Sequence, residues 1–205
     1  ALIADAASPI AIIGGAGWNA KAREYFEAFA SRIGLPVATA FRRQDAIAPD
    51  SPVYAGNLGY GPNPKLVERV KNADLIIAVG GGALTDTAGL LAALYLRGID
   101  WVAVPTTLAA QLDASLGGKT GVDLPEGKNL VGAFHQPIAV IADLDALRSL
   151  PAREIVAAMG EAVKIALLGE DRLFTLLEEC ATRIAAGDVS LHEDGTYAEI
   201  VERAG

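Results

Sequence analysis

The run DLIIAVGGGALTDTAGLLAALYLRG, residues 74–98, limits the fold more than any other stretch. A short apolar segment closes on three consecutive glycines and passes without a spacer into an apolar helical pattern, as a strand feeding a crossover helix does. The same alternation precedes and follows it. PIAII (9–13) reads as a buried strand ending in glycines, and AKAREYFEAFASRIG then spaces Ala22, Tyr25, Phe26, Phe29 and Ile33 at helical intervals. LPVATAF is a strand, PKLVERVKNA a short helix, and WVAVP and IAVIAD two further strands. Parallel strands need crossovers of about a dozen residues. The pattern therefore predicts an α/β fold, a Rossmann-like parallel sheet with helices on both faces, over residues 1–150. From Pro151 onward PAREIVAAMGEAVKIALLG, DRLFTLLEECATRIAAG and HEDGTYAEIVERAG read as three helices with no strand between them. Residues 151–205 are expected to begin an all-helical domain, with the boundary near Leu150.

The bulk composition narrows the partners. With 205 residues, 52% hydrophobic and 20% charged, the chain can bury one large core or two small ones. A net charge of −8 argues against a broad phosphate-backbone interface, so nucleic acid is not expected, while a local basic pocket for a small phosphorylated ligand stays open. One cysteine, Cys180, excludes an intramolecular disulfide. No apolar run reaches about 18 residues, so no membrane partner is expected and a cytoplasmic location is the default. A homodimer is one expectation for its assembly.

Two glycine turns compete as a nucleotide site. GGAGWNA (14–20) follows a strand and opens a helix, but in the weak G-x-G-x-x-A form. A ribose-binding acid is expected about 20 residues later; the chain has VATAFRR there, so a packing turn is the favoured reading. GGGALTDTAG (80–89) also links strand to helix, and its amides at Gly81 and Gly82 can approach a pyrophosphate at the positive helix end. Asp86, placed in that helix's first turn, suits a ribose hydroxyl or the helix dipole. Arg97 ends the helix, and Thr106 and Thr107 follow the next strand, where the plain alternative is helix capping. DASLGGKTGVDLPEGKN (113–129) then gathers Asp113, Lys119, Lys128 and Asn129 among glycines. A solvated hairpin is the alternative there, disfavoured by the density of specific groups.

In order and spacing, GGGALTDTAG, YLRG, VPTTLAAQLDASLGGKTGVDLPEGKNLVGAFHQP, LRSLPAREI and GEAVK resemble 3-dehydroquinate synthase, from about Leu75 to Glu179. The resemblance implies an NAD- and divalent-metal-dependent lyase that turns a phosphorylated seven-carbon keto-sugar acid into a carbocycle with loss of phosphate. It assigns Gly81, Gly82, Asp86, Thr106 and Thr107 to cofactor contacts, and Asp113, Lys128 and Asn129 to the substrate or the nicotinamide half. It makes Glu161 one ligand of a zinc or cobalt ion. The chemistry needs these residue types: oxidising a neighbouring alcohol acidifies the proton next to the phosphate-bearing carbon, with NAD as temporary hydride acceptor. Cations must clamp the leaving phosphate, and Arg97, Lys119 and Lys164 are assigned to that clamp. Glu161 and Lys164, taken alone, read as a surface i, i+3 ion pair. His135 and His192 are expected to pack or cap rather than to bind metal.

Upstream, the segment SPIAIIGGAGWNAKAREYFEAFASRIGLPVATAFRRQDAIAPDSPVYAGNLGYGPNPKLVERVKNADLIIAVG resembles the central domain of thiamine diphosphate-dependent enzymes. That resemblance covers residues 1–79 and implies a Rossmann-like sheet that holds FAD or ADP in some members and nothing in many. A chimera is inferred, joined within ADLIIAVGGG. The segment expected to grip the adenosine end of NAD in a dehydroquinate synthase is not found in residues 1–73, and a later helical segment with two metal-binding histidines is expected to be missing. The chain is accordingly expected to bind NAD weakly and not to turn over alone. A non-catalytic Rossmann-like module and a cyclase for another sugar phosphate are the alternatives.

Overall fold

The computed structural model describes residues 1–15 and 18–205. The middle of the first glycine turn, Ala16 and Gly17, thus lies outside the described residues. After a single helical turn, α1 (Leu2–Asp5), the chain forms β1 (Pro9–Ile13), α2 (Ala20–Ile33), β2 (Val37–Thr39), β3 (Tyr54–Asn57), α3 (Pro64–Lys71), β4 (Leu75–Gly80), α4 (Gly82–Leu94) and β5 (Asp100–Pro105). A hairpin of β6 (Lys119–Leu124) and β7 (Gly127–Phe134) follows, then β8 (Ala139–Val140) and three helices, α5 (Ala152–Leu167), α6 (Asp171–Ala185) and α7 (Thr196–Ala204).

The six strands β3-β2-β1-β4-β5-β8 form one sheet in that order, and every pair in it is parallel. This is the expected Rossmann-like α/β architecture. The order reverses between β1 and β4, whose residues pair from Pro9↔Leu75 to Ile13↔Val79. Alternation of side chains across the pleat builds two cores at once. Ile10, Ile12, Ile76 and Ala78 face α3 and α4, together with Leu66, Val70, Ala88 and Trp101. Ala11, Ile13, Leu75, Ile77 and Val79 face the side of α2, together with Ala30, Leu35 and Ile47. Both faces are covered, so β1 and β4 are apolar at nearly every position.

The helix ends follow local chemistry. Asn19 caps α2 through its side chain onto the Ala22 amide, and Gly34 ends it at φ +65°. Asn63 caps α3 ahead of Pro64. The three C-terminal helices enclose a third core, which also takes in Leu108, Leu112 and Leu147 from before the expected boundary.

Three sequence expectations need correction. VYAGN, to which the sequence pattern assigns no element, contains β3, whose four residues are only partly buried and show no apolar rhythm. IAVIAD contributes only the two-residue edge strand β8. The stretch 113–129 does build a hairpin, the form that its polar groups made unattractive, and this hairpin forms its own two-stranded sheet outside the main one. Much of β7 is exposed, yet β6 packs on α4: a Cβ on Gly89 would lie 2.4 Å from Thr120 Cγ2 and 2.9 Å from the Trp101 ring.

Gly89 therefore tests the packing of the hairpin. In an exposed helix, Gly→Ala gains about 1 kcal/mol, but here overpacking against two buried side chains costs about 1–3 kcal/mol. Gly89→Ala is expected to lower the thermal midpoint by a few degrees, and a raised midpoint would show that β6 does not rest on α4. The continuous sheet also predicts that limited proteolysis releases no stable fragment cut near residue 80.

Candidate functional site

The two glycine turns that compete in the sequence adjoin each other in the fold. Because β1 and β4 are neighbours, Gly14 donates its amide to Val79 O at 3.0 Å, and a Cβ on Gly15, at φ +80°, would lie 3.1 Å from the Gly81 amide nitrogen. Gly80 is equally confined, since its Cβ would meet Leu84 at 2.6 Å and Gly14 O at 3.0 Å. Larger side chains in these turns would force the strand ends apart. Between them opens a crevice of about 550 Å3, lined by Gly15, Gly81, Gly82 and Thr107 with Phe41 and Leu58 on its far wall. It sits at the point where strand order reverses, beyond the carboxyl ends of parallel strands, the position at which open α/β sheets bind ligands.

Helix α4 starts in this crevice with Gly81 as N-cap and no side-chain cap, leaving its first amides for an acceptor from outside the helix. Thr107 Oγ1 accepts the Ala110 amide at 3.4 Å, so this threonine caps the following turn while still lining the crevice. Thr106 is bound through its backbone amide to Gly80 O at 2.9 Å, but its buried Oγ1 has no hydrogen-bond partner among the described residues. Thr106 itself lines neither the crevice nor the cavity described below, while the uncapped amides and glycine walls of the crevice fit a ligand with several acceptor oxygens.

The opposite side of α4 carries a second cavity of about 350 Å3, between the helix and the hairpin. Asp86, Asp113, Lys119 and Asn129 line it, with Thr120 and Phe134. Asp86 lies in the second turn of α4 rather than the first, and so looks toward the hairpin and not into the glycine crevice. Asp113 sits in a π-helical turn, Ala110–Ala114, held by Ser115 Oγ donating to Ala110 O at 2.7 Å. Asn129 adopts φ +55° where the hairpin register slips, and its amide donates to Asp123 Oδ1 at 3.0 Å. Such left-handed outliers in non-glycine residues cluster at functional sites.

Partial burial pushes the Asp86 carboxyl up to about 6, helped by the negative charges of Asp113 and Asp123 and opposed by Lys119. A third element closes on this cavity. Lys164 on α5 reaches Asp113 Oδ1 at 3.7 Å and also contacts Glu161 Oε2. Its ammonium is held above the ordinary lysine value, first by Glu161 and then by the charge of Asp113. The surface i, i+3 pair expected for Glu161 and Lys164 is therefore present, and it is tethered to the cavity through Asp113.

Two further assigned residues lie elsewhere. Arg97 is not the last residue of a helix but sits in a 3-10 turn after α4, exposed, at φ +70°, and lines neither cavity. Lys128 is exposed on β7 and lines neither. Among the described residues no three His, Cys, Asp or Glu side chains gather as a metal site, and Glu161 Oε2 has only Lys164 against it. Glu161 alone thus does not complete a site for a divalent ion, which needs three or four ligands. His135 bonds Ile99 O at 2.8 Å, and His192 packs on Tyr197 with ring centroids 4.8 Å apart, both as packing groups. The sequence reading missed Gln111. Its buried amide donates to Pro105 O at 3.1 Å and Asp143 O at 2.9 Å, tying the ends of β5 and β8 beside the site. A glutamine inside an apolar helical run was the available signal.

The fold and the two cavities define a class, α/β proteins with a ligand crevice at the switch point and a polar pocket beside it. Comparison with known proteins is more specific. The family model for the 3-dehydroquinate synthase N-terminal region matches residues 64–157, and that for the thiamine pyrophosphate enzyme central domain matches residues 1–96. The chain is 46% identical over 139 residues to the 3-dehydroquinate synthase of Jannaschia sp. (strain CCS1), covering 68% of this chain and 38% of that protein. It is 53% identical over 121 residues to that of Cereibacter sphaeroides (strain ATCC 17025 / ATH 2.4.3), covering 59% and 33%. The match thus spans little more than a third of these relatives' length. Among solved structures, 2-epi-5-epi-valiolone synthase from Streptomyces hygroscopicus subsp. jinggangensis 5008, with NAD+ and Zn2+ bound, aligns over 100% of this chain and 55% of its own at 27% identity and TM-score 0.71. A 2-deoxy-scyllo-inosose synthase complexed with carbaglucose-6-phosphate, NAD+ and Co2+ aligns over 78% and 43% at 30% identity and TM-score 0.55. An iron-containing alcohol dehydrogenase from Thermotoga maritima, at 12% identity and TM-score 0.65, shares the fold alone.

Asp86 gives this site a signature in pH. Its folded value, about 6, exceeds the ordinary aspartate value of 3.8, so the folded state holds more protons between them and stability falls as pH rises through that window. The shift corresponds to roughly 3 kcal/mol at face value, reduced to about 1 kcal/mol because the group is half-exposed and screened. Asp86→Asn is therefore expected to unfold a few degrees higher than the native chain above pH 6, and to lose that advantage near pH 4. An advantage independent of pH would show that Asp86 is not strained by its neighbours.

Proposed function

We propose that the chain carries the nucleotide and phosphate-binding parts of a 3-dehydroquinate synthase-like, NAD-dependent cyclase that eliminates phosphate from a phosphorylated keto-sugar acid. The observation that carries this reading is the convergence of Asp86, Asp113, Lys119 and Asn129 on one cavity, with the glycine crevice across α4. A dinucleotide in the crevice would have its pyrophosphate on the Gly81–Gly82 amides, and when bound it supplies a reversible hydride acceptor. Its nicotinamide half would approach Asp113.

In the second cavity Lys119 is the cation for the phosphate, and Asn129 offers both a donor and an acceptor to substrate hydroxyls. Lys164 joins the clamp by exchanging its contacts with Asp113 and Glu161 for phosphate oxygens. Asp86, titrating near 6, can hold or release a proton at its carboxyl close to neutral pH. The departing phosphate oxygen can itself take up the proton that the adjacent carbon loses. Arg97, Thr106 and Lys128 are retained as phosphate and cofactor contacts on the resemblance, and Glu161 as a zinc or cobalt contact; no step is assigned to a metal.

The comparisons support this reading, since relatives named 3-dehydroquinate synthase match the chain and both cyclase structures are described with NAD+ and a divalent ion. The cyclases also support the variant in which the substrate is another sugar phosphate. We further propose that the chain joins two related α/β pieces within ADLIIAVGGG, near residues 75–82 and inside the stretch 64–96 where the two family matches overlap, and that residues 1–150 and 151–205 are its domains. A self-paired dimer is the assembly in keeping with this reading. The second reading, a Rossmann-like module of the thiamine enzyme type that performs no chemistry, rests on the match over residues 1–96.

Calorimetric titration separates the two. NAD+ and carbaglucose 6-phosphate are expected to bind, and Lys119→Ala to weaken the sugar phosphate by roughly 10–100-fold, the worth of a charge-assisted hydrogen bond, while sparing NAD+. Gly82→Val is expected to do the reverse. Binding of FAD or ADP with no response to either sugar phosphate or NAD+ would favour the non-catalytic module.

A further inference from the structure

We infer that the upstream part of the chain completes the dinucleotide site: Phe41, Leu58 and Tyr60 form an aromatic and aliphatic clamp that holds the adenine by its faces rather than its edge. This rests on the proposal above that NAD+ occupies the glycine crevice. It adds what grips the base, because the segment expected to do so in a dehydroquinate synthase is not found in residues 1–73.

Beyond its glycines the crevice is largely apolar. One wall is the face of α4 that carries Leu84, Thr87, Ala88 and Leu91 at helical spacing, and the other is built by Phe41 and Leu58 from the turns after β2 and β3. Both turns lie in the region matched by the thiamine pyrophosphate enzyme central domain. The polar side chains of the lining are already engaged: Thr87 Oγ1 donates to Ala83 O at 2.8 Å, and Thr107 Oγ1 accepts the Ala110 amide at 3.4 Å. A flat heteroaromatic ring can cover both walls with its faces and meets no side chain set aside for its edge. The Gly81 and Gly82 amides belong to the same lining, so a pyrophosphate on them leaves one half of the dinucleotide against these walls. With the nicotinamide half toward Asp113, that half is the adenosine.

The clamp is formed before any ligand arrives. Phe41 is 48% exposed, yet Tyr60 meets its ring edge-to-face with centroids 5.0 Å apart and the Arg42 guanidinium lies 5.1 Å from its centre. A Cβ on Gly59 would come within 3.1 Å of Phe41 Cδ2, so the turn after β3 rests directly on the ring. Asn57 binds the two turns together. Its Nδ2 donates to Thr39 O at 3.1 Å and Ala40 O at 2.9 Å, just before Phe41, while its Oδ1 accepts the Gly59 amide at 2.8 Å, just past Leu58. Tyr60 is 94% exposed, so the outer part of the clamp stands bare in water, and covering it with a base is favourable. A surface held in place this way loses little freedom on binding.

Calorimetry on the full chain with NAD+, AMP, nicotinamide mononucleotide and nicotinamide hypoxanthine dinucleotide tests the clamp. Phe41→Ala is expected to weaken NAD+ and AMP each by roughly tenfold, the order of a base stack lost to alanine, and to leave nicotinamide mononucleotide and carbaglucose 6-phosphate within about twofold. Tyr60→Ala, at an exposed position, is expected to weaken NAD+ by about threefold or more without moving the thermal midpoint. The hypoxanthine dinucleotide is expected to bind the native chain within about threefold of NAD+, less than a lost hydrogen bond at the base edge would cost. NAD+ binding that Gly82→Val abolishes but Phe41→Ala and Tyr60→Ala leave alone would overturn the clamp and leave the crevice reading standing. A loss of about tenfold or more with the hypoxanthine dinucleotide would overturn the claim that the base is held by its faces. If the native chain binds neither NAD+ nor AMP, the crevice reading falls and this inference with it.

Discussion

The pairing of β1 with β4 is the constraint on which the rest of the structure depends. These two strands lie at the middle of the sheet, apolar on both faces, and their parallel register brings two chain reversals to the same place. Glycine is required there by distance: a side chain at Gly14, Gly15 or Gly80 would meet the neighbouring turn or Leu84 at about the van der Waals limit or inside it. The crevice follows from the same geometry. Crossovers leave β1 toward β2 and β4 toward β5, in opposite directions along the sheet, and a gap opens between their first turns.

Helix α4 is the second organising element, because it borders both cavities. Its uncapped N-terminus enters the crevice, and its second turn presents Asp86 to the hairpin. The bare glycine at position 89 lets Thr120 approach closely enough for the hairpin to form the second wall. A dinucleotide and a phosphorylated substrate would thus be separated by one helix, with Asp113 and Lys164 extending the polar contacts onto the C-terminal helices. The electrostatic cost is visible at Asp86, whose carboxyl is pushed up first by its partial burial and then by the negative charges of Asp113 and Asp123, against the pull of Lys119.

Much of this was legible in the sequence, for physical reasons that differ by element. Strands such as PIAII and LIIAVG are buried on both faces and announce themselves by unbroken apolar character, and α2 by the helical spacing of its apolar residues. β3 was not legible: YAGN has intermediate exposure throughout and is placed by pairing with β2, a long-range contact that leaves no periodic trace. The meeting of the two glycine turns was equally hidden, since it depends on strand order. Asp113, Lys119 and Asn129 could be named from motif and chemistry, and the structure gathers them at one cavity. Arg97 and Lys128 have the right chemistry but stand elsewhere, exposed, which spacing alone could not reveal.

The account stands on the claim that the two strand ends form a single dinucleotide crevice. Amide hydrogen exchange on the full chain, with and without saturating NAD+, tests that claim most directly, because exchange reports each backbone amide separately. Slowed exchange is predicted at Gly15, at Gly81 to Leu84 and at Thr107, together, with β3's far edge and α6 unchanged. Protection confined to the hairpin, or an unchanged pattern at Gly81 to Leu84 despite demonstrated binding, would contradict it.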